Sequence, residues 1–200
     1  MLEEIILNAQ MEDRYLRDGN FEDELLIGVD ISKIEFESVQ FTKCTFENCD
    51  FTKASFYATH FINCNFSNCI FTESYWKNSE ILSCKGDGGN FSRSSIKEST
   101  LLNSSFCYAI YSETLWEKCT IHHCNFKNAF FSEVKLKKSD LKEVDFSNVD
   151  FFKTPLKGID LSACEIGGIM VSDTYKELQG VKISPLQAVD IVHLLGVKII

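Results

Sequence analysis

The residues best suited to chemistry in this chain are its nine cysteines and four histidines. Their densest cluster is Cys119-Thr-Ile-His122-His123-Cys124, and thiolate sulfur and imidazole nitrogen are ligands that zinc prefers. The spacing is a weak zinc signature, however, and the cysteines and histidines fall at different phases of a five-residue repeat. We therefore expect the cysteines to point inward and the histidines outward, so that the four side chains do not form a metal site.

Groups suited to catalysis do not converge in the sequence either. Serines are frequent between residues 92 and 105, yet no Gly-x-Ser-x-Gly elbow surrounds them and nothing pairs a histidine with them. The segment Gly86-x-Gly88-Gly89 lacks the spacing and the lysine of a phosphate-binding loop. The sequence therefore predicts a protein that is not an enzyme and that uses no cofactor.

The chain is organised by an apolar residue at every fifth position, from Phe21 to Val171, with one break at Gly86. A helix repeats a face with a period of 3.6 and a strand with a period of two, so a period of five requires a chain that turns a corner in each repeat. The repeat centres before the break are Phe21, Leu26, Ile31, Phe36, Phe41, Phe46, Phe51, Phe56, Phe61, Phe66, Phe71, Trp76 and Ile81. Those after it are Phe91, Ile96, Leu101, Phe106, Tyr111, Trp116, Ile121, Phe126, Phe131, Leu136, Leu141, Phe146, Phe151, Leu156, Leu161, Ile166 and Val171.

The repeat also accounts for most of the cysteines, because all except Cys107 lie two residues before a repeat centre. Small residues such as Ala54, Ser74 and Ala129 fill the same position elsewhere, which indicates a slot for a small buried side chain. A free cysteine packs as a small hydrophobe, so we interpret these residues as reduced core thiols rather than as disulfides or metal ligands. They are Cys44, Cys49, Cys64, Cys69, Cys84, Cys119, Cys124 and Cys164.

The repeat unit is a small, a polar and an apolar residue followed by two variable ones, as in Cys49-Asp50-Phe51-Thr52-Lys53. It resembles the A-(D/N)-(L/F)-x-x pattern of pentapeptide-repeat proteins. The resemblance implies an all-β solenoid, namely a right-handed quadrilateral β-helix with four repeats in each coil. Equivalent residues of neighbouring coils should then be four repeats apart in sequence and about 4.8 Å apart in space.

We divide the chain into an N-terminal capping coil at 1–20, the β-helix at 21–173, and a C-terminal cap and dimerisation helix at 174–200. An end piece is expected because the open edge of a stacked repeat offers unpaired backbone groups. The one weak repeat is Lys85-Gly86-Asp87-Gly88-Gly89-Asn90, where glycine is costly to order and fills no core. We expect a distorted corner or short bulge there, with a partner-contact loop as the alternative.

The segment from Ser184 predicts a short C-terminal α-helix, with Ser184 as N-cap, Pro185 at the first helical position and Gly196 as C-cap. It is apolar on more than one side, so it cannot bury itself wholly against one coil end. We expect it to cover the last coil and to join a second copy in a homodimer; capping without dimerisation is the alternative. The predicted dimer interface is Leu186, Val189, Ile191, Leu194 and Leu195.

The net charge of −9 is concentrated near the N-terminus. Residues 1–50 contain thirteen Asp and Glu against four Lys and Arg, whereas the rest of the chain contains sixteen of each. An acidic surface repels nucleic acid, which disfavours direct nucleic-acid binding and favours a basic partner; a merely solvated acidic end is the alternative. The acidic residues expected to contact a partner are Glu22, Asp23, Glu37, Glu47, Glu98, Glu113 and Glu117.

The second half and the tail resemble the topoisomerase-protecting branch of the pentapeptide-repeat family, which includes the Qnr quinolone-resistance proteins and the mycobacterial MfpA type. The segments that carry this resemblance are 103–109, 119–126, 139–142, 152–161 and 184–195. The resemblance implies a DNA-mimicking protein that binds DNA gyrase, and often topoisomerase IV, and protects it from quinolone-type inhibitors. The long loops of the Gram-negative Qnr proteins have no counterpart, because no insertion breaks the five-residue phase.

The alternative function is that of a general interaction scaffold with an unrelated partner. A Ser/Thr column at 52, 72, 92, 112, 132 and 172 is similar to an ice-binding hydroxyl ladder, but charged neighbours flank it and Phe152 interrupts it. The first residues lack a basic n-region, and no apolar run approaches the roughly 20 residues that span a bilayer. We therefore expect a cytoplasmic protein without a signal peptide.

Overall fold

The computed structural model describes residues 2–12 and 14–198, and it confirms the stacked solenoid with four faces and a short C-terminal helix. Each face receives every fourth repeat, and we number the faces one to four from the repeat centred on Leu16. Before that repeat, helix α1 (Leu2–Met11) packs Leu2 and Ile6 against the open end of the first coil. A helix followed directly by the first strand therefore replaces the capping coil expected over 1–20.

Faces one and two are parallel sheets of seven short strands each. Face one contains β1 (Tyr15–Arg17), β4 (Glu35–Glu37), β7 (Ser55–Tyr57), β9 (Tyr75–Lys77), β11 (Ser95–Lys97), β13 (Leu115–Glu117) and β15 (Lys135–Lys137). Face two contains β2 (Asn20–Glu22), β5 (Gln40–Thr42), β8 (His60–Ile62), β10 (Glu80–Leu82), β12 (Thr100–Leu102), β14 (Thr120–His122) and β16 (Asp140–Lys142). Each repeat centre of these sheets pairs with its counterpart in the next coil, as Leu16 does with Phe36.

Face three changes character along the solenoid, whereas face four is built from tight turns throughout. Face three starts as the strands β3 (Leu25–Ile27) and β6 (Thr45–Glu47). From Phe66 onward it turns tightly instead, with the Cys69 N–H donating to the Phe66 carbonyl at 3.3 Å. On face four the Ala54 N–H donates in the same way to the Phe51 carbonyl at 3.0 Å.

Asp or Asn before a repeat centre stabilises many of these tight turns. The Asp50 carboxylate accepts the Thr52 N–H at 2.8 Å, and the Asn90 side-chain oxygen accepts the Ser92 N–H at 3.0 Å. Such a side chain mimics a backbone turn, which explains why Asp and Asn recur at this position on faces three and four.

The corners are made by a left-handed residue two positions after the repeat centre. The φ angle there is +60° at Lys53, +59° at Asn68 and +59° at Glu73. A residue other than glycine loses roughly 1–2 kcal/mol in this conformation. The corner N–H groups are satisfied by the next coil, since Lys53 donates to the Thr72 carbonyl and Asn68 to the Asp87 carbonyl, both at 2.9 Å. Stacking therefore offsets the local strain that turns the chain.

Aromatic rings stack along the interior in columns that follow the spacing of the coils. Ring centroids are 4.6 Å apart for Phe51 and Phe71, 4.7 Å for Phe71 and Phe91, and 4.9 Å for Phe91 and Tyr111. All these rings are buried. Offset stacking adds about 0.5–1.5 kcal/mol per pair to the burial of apolar area, so these columns are a main source of stability.

The expected small slot is confirmed as a ladder of buried hydroxyls and thiols. The Ser79 hydroxyl donates to the Phe56 carbonyl at 3.1 Å, and it accepts the Thr59 N–H at 3.2 Å. The Cys64 thiol donates to the Phe41 carbonyl at 3.3 Å. Alanine and valine fill the same slot in other coils, so a hydroxyl or thiol there adds a hydrogen bond that the fold does not require in every coil.

The expected bulge at Gly86 is wrong, because this repeat keeps the register of its neighbours. The Gly86 N–H donates to the Ser105 carbonyl at 2.8 Å, and Gly88 stands at a normal left-handed corner with φ +68°. The rings of Phe66 and Phe106 fill the missing centre: a Cβ on Gly86 would lie 2.6 Å from Phe66 Cε2 and 2.8 Å from Phe106 Cδ1. Coils above and below therefore impose the fold on a segment that has little preference of its own.

The face-one sheet stops at β15, because Pro155 occupies the position of Lys135 in the next coil and has no N–H to donate. Past Val171 a short 3₁₀ turn (Lys176–Leu178) covers the last coil and buries Glu177. The Glu177 carboxylate accepts the Lys153 N–H and the Ser172 hydroxyl, both at 2.9 Å. Helix α2 (Ala188–Leu194) is the last helix of the described chain. No helix within 2–12 and 14–198 is long and apolar enough to cross a bilayer.

Removing the Tyr111 hydroxyl should stabilise the protein. This hydroxyl is fully buried without a hydrogen-bond partner, and burial raises its pKa well above the usual value. An unsatisfied buried polar group costs about 1–3 kcal/mol, so Tyr111→Phe should raise the free energy of unfolding by up to that amount in urea denaturation. Thr114→Val is the contrasting control, because it removes the acceptor of the Trp116 indole N–H at 3.1 Å and should destabilise. A less stable Tyr111→Phe protein would contradict this account.

Glu177 should make the C-terminal cap sensitive to acid. Burial alone raises the pKa of this carboxyl, but hydrogen bonds from its own N–H, the Ser172 hydroxyl and the Lys153 N–H outweigh burial and hold the pKa below its usual value. A depressed folded pKa contributes stability above the unfolded value of about 4.3, and that stability is lost as the pH falls through the folded pKa. The free energy of unfolding should therefore fall more steeply between pH 6 and pH 3 in the wild type than in Glu177→Gln. Parallel pH profiles would refute this role.

Candidate partner-binding surface

The cysteines and histidines of the 119–124 cluster point to opposite sides of the chain, as expected. The Cys119 thiol donates to the Ile96 carbonyl inside the solenoid at 3.3 Å, and burial raises the pKa of Cys124 to about 11. Outside, His122 Nε2 lies 2.9 Å from Asp140 and His123 Nδ1 lies 3.0 Å from Glu143. Among the described residues no group of side chains is arranged to hold a metal ion.

All nine cysteines are free thiols, and only Cys107 is partly exposed. Cys107 lies one residue after a repeat centre, on the outside of face three, where its N–H donates to Asp87 at 2.8 Å. The surface chemistry of this protein therefore rests on its charged and apolar side chains rather than on thiols.

Three of the seven acidic residues proposed from the sequence are engaged by bases one coil away. Glu37 pairs with Arg17 at 2.7 Å, Glu22 with Lys43 at 3.0 Å, and Glu98 with Lys118 at 2.9 Å. A hydrogen bond from the Tyr15 hydroxyl, followed by one from Arg17, lowers the pKa of the Glu37 carboxyl. Exposed pairs of this kind contribute little to stability, but they reduce the negative potential of their surroundings.

The other four carboxylates have no hydrogen-bond or ion-pair partner among the described residues. They do not share a face: Asp23 follows face two, Glu47 lies on face three, Glu113 stands at the corner before face one, and Glu117 lies on face one. The sequence missed two further unpaired carboxylates in the first coils, Asp18 and Glu35, because nothing local distinguishes them from paired ones. The acidic surface is therefore an end of the solenoid rather than one side of it.

We name this end the acidic end, defined by the unpaired, outward-facing Asp18, Asp23, Glu35 and Glu47. All four lie in the first two coils, beside α1. Their positions follow from the repeat, which turns the residues before and after each centre outward and leaves the corner residue in solvent. Free carboxylates on a rigid frame can accept charge-assisted hydrogen bonds from lysine or arginine of a partner.

The C-terminal segment is held on the last coil by a capping box. The Ser184 hydroxyl accepts the Gln187 N–H at 3.4 Å, and the Gln187 side-chain oxygen accepts the Ser184 N–H at 2.7 Å. The same Gln187 amide donates to the carbonyls of Leu161 at 2.8 Å and Cys164 at 2.5 Å. This role of Gln187 was not predicted, although Ser-x-x-Gln is the signature of the box. The helix itself begins only at Ala188, with Gln187 at its N-cap position, so the predicted start at Ser184 and Pro185 lies before the observed one. Gly196, with φ +75°, follows the C-cap residue Leu195, close to the predicted C-terminal end.

The five residues predicted for a dimer interface divide into two sets. Ile191 and Leu194 pack against the core of their own chain. Leu186, Val189 and Leu195 face solvent, with 88%, 45% and 54% of their surfaces exposed. Val197 joins them at 49%. We name Leu186, Val189, Leu195 and Val197 the tail patch, and it is the apolar surface through which a second copy would be recognised.

Comparison with known families identifies the repeat. Models of pentapeptide repeats match residues 29–80, described as nine copies, and residues 117–151, described as eight copies. Both halves of this chain therefore contain pentapeptide repeats. The structure extends the pattern beyond both matches, since the pairing between coils begins at Tyr15 and the bridge between Asp150 and Met170 continues it.

Two solved structures of QnrB1, each of a trypsin-treated variant, are similar to this chain. QnrB1 is described as a plasmid-mediated fluoroquinolone resistance protein. The first has a TM-score of 0.57 at 20% identity and covers 93% of this chain and 98% of its own. The second has a TM-score of 0.51 at 22% identity, with 91% and 100% covered. At these identities the likeness concerns the fold. A comparison with curated protein sequences found no match.

If the tail patch joins two copies, Leu186→Asp should produce monomers without unfolding the chain. Leu186 is almost fully exposed in the single chain, so a charge there costs the fold little while it disrupts an apolar contact. Light scattering should give the mass of one chain for the variant and of two for the wild type, with unchanged circular dichroism. Leu194→Asp is an unsuitable probe, since Leu194 packs on its own core. A variant that stays dimeric would exclude the tail patch.

Proposed function

We propose that this protein is a cytoplasmic, non-enzymatic homodimer that binds DNA gyrase, or a related type II topoisomerase, as a mimic of duplex DNA. In this role it would relieve the action of quinolone-type inhibitors. The observation that carries the proposal is a solenoid, hydrogen-bonded from coil to coil, with unpaired carboxylates at one end and an apolar tail patch at the other.

Dimensions support the proposal. A five-residue side is about 17 Å long by the rise of a strand, which is close to the width of a duplex. Seven strands stacked at about 4.8 Å span about 29 Å between the first and the last, and end pieces lengthen each copy. Two copies joined through their tail patches would therefore match the length of about 20 base pairs at about 3.4 Å each.

The unpaired carboxylates of the acidic end also support the proposed mimicry of DNA. A tail-to-tail dimer would carry its two acidic ends at the outer tips, where carboxylates could replace DNA phosphates opposite lysine and arginine of the enzyme. Such complementary potentials steer encounter and select the partner more than they add affinity. The likeness to QnrB1 agrees with this assignment, because that protein is described by its role in fluoroquinolone resistance.

Projecting loops do not contribute to the proposed contact. From Tyr15 to Val171 the described chain keeps one register without an insertion, so the enzyme would be contacted by coil faces, corners or α1. This restricts the contact to outward side chains at fixed spacing.

A scaffold with an unrelated partner remains the second candidate, and one observation favours it. Face four carries exposed apolar side chains in several of its coils, with Ile70 at 42%, Phe130 at 45%, Phe152 at 41% and Met170 at 50%. A polyanion mimic has no need of such a column, whereas protein interfaces commonly contain one.

The test is a DNA supercoiling assay of gyrase inhibited by ciprofloxacin, with and without the protein at micromolar concentration. We expect restored supercoiling with the wild type. Because the acidic end supplies the proposed contact, the variant Asp18→Asn, Asp23→Asn, Glu35→Gln, Glu47→Gln should need about tenfold more protein or higher for the same rescue.

The matched control removes four exposed carboxylates far from the acidic end, with Glu133→Gln, Glu143→Gln, Glu165→Gln and Asp173→Asn. It changes the net charge equally and should protect as the wild type does. No rescue by the wild type would reject the proposal. A pull-down in which gyrase subunits are absent and another protein dominates would favour the scaffold.

A further inference from the structure

Face one changes sign along the solenoid, and from its fourth coil onward it carries lysines that the net charge conceals. We name Lys77, Lys97, Lys135, Lys137, Lys138 and Lys157 the lysine strip. Lys77 and Lys97 are direct neighbours in the sheet, and Lys135 and Lys137 lie on β15, about 6.6 Å apart by strand rise. Lys157 occupies the position of Lys137 one coil further along the chain.

The strip is only partly neutralised by its surroundings. No lysine of the strip lies in an ion pair with a described carboxylate, although nearby Lys118 and Lys153 pair with Glu98 and Glu133. This part of face one also carries Glu117, which lies between Lys97 and Lys137 in the sheet. Its carboxylate has no ion pair in the described chain. The four lysines from Lys135 onward are exposed.

The acidic end does not cancel this charge at a distance. Lys135 lies five coils from Glu35, which is about 24 Å at the strand spacing. The Debye length is about 10 Å at 0.1 M salt, so charges this far apart on the surface are largely screened. A ligand at the strip therefore meets the lysines and not the net charge of −9.

From this arrangement we propose that the lysine strip binds the phosphate backbone of a nucleic-acid duplex. The strip consists of charged side chains, whereas binding to a protein depends on a few buried aromatic or aliphatic side chains. A phosphate backbone is bound through charge alone, by release of its counterions. The inference does not rest on the function proposed above, and it revises the expectation that acidity excludes nucleic acid.

A duplex fits better than a single strand, because the aromatic side chains of this face are already occupied. Single strands are held by bases stacked on exposed rings. Here the rings of Tyr57 and Tyr75 pack on each other with centroids 5.5 Å apart, and Lys97 Nζ lies 5.6 Å from the Tyr75 centroid. The strip thus offers positive charge without a free stacking platform.

The experiment measures fluorescence anisotropy of a labelled 20-base-pair duplex titrated with the full chain, from 50 to 200 mM salt. The variant Lys135→Gln, Lys137→Gln, Lys138→Gln should bind about tenfold more weakly or worse at 50 mM. Its slope of log K against log salt should be smaller by about 2 to 3, at about 0.9 per lost phosphate contact. The matched control, Lys33→Gln, Lys85→Gln, Lys127→Gln, removes equal charge from faces three and four and should bind as the wild type does.

Three results would overturn the proposal. One is no binding of the duplex by the wild type at 50 mM salt, and another is equal weakening by the control variant. The third is displacement of the duplex by polyglutamate as effectively as by unlabelled duplex, which would assign the strip to an acidic polypeptide. Tighter binding of a single strand of the same length would overturn the choice of a duplex. Circular dichroism of both variants, whose substituted side chains are on the surface, verifies that they fold.

Discussion

The backbone hydrogen bonds between coils are the interaction on which the rest of this structure depends. Corner and strand N–H groups find their carbonyls on a neighbouring coil, four repeats away in sequence. The pairing fixes the register, and the register decides which residues point inward. A slip by one residue would turn the aromatic centres into solvent and put polar residues inside, so hydrogen bonding and burial select the same alignment.

That register separates the residues that make the fold from those that are free for function. The centre and the small slot are interior, and they are filled by stacked rings and by thiols or hydroxyls that bond to backbone carbonyls. The remaining positions face solvent and carry acidic, basic, polar and apolar side chains. Acidic, basic and apolar surfaces can therefore lie close to one another on a single rigid frame.

The two ends need separate solutions, because a stack of strands has two open edges. Helix α1 covers the first coil with Leu2 and Ile6, while Glu177 and Gln187 tie the tail to the last coil through buried hydrogen bonds. At the C-terminal end this anchoring uses only one side of α2. The tail patch, in and beside this helix, remains exposed.

The sequence by itself determined the period, the interior set, the small thiol slot and the presence of a C-terminal helix that ends just before Gly196. These features depend on residue type and local spacing, which are visible in one chain. Only the tertiary structure decided that Gly86 keeps its register, because the rings that fill its place belong to the coils before and after it. The tertiary structure also decided that α1 forms the N-terminal cap. It decided which backbone carbonyls accept hydrogen bonds from Gln187, and which acidic side chains form ion pairs. Glu37 is neutralised by a base one coil away, whereas Lys135 has no ion pair with a described carboxylate. The five-residue pattern does not predict the charge of a residue's neighbour in the next coil, so the sequence could not distinguish the two cases.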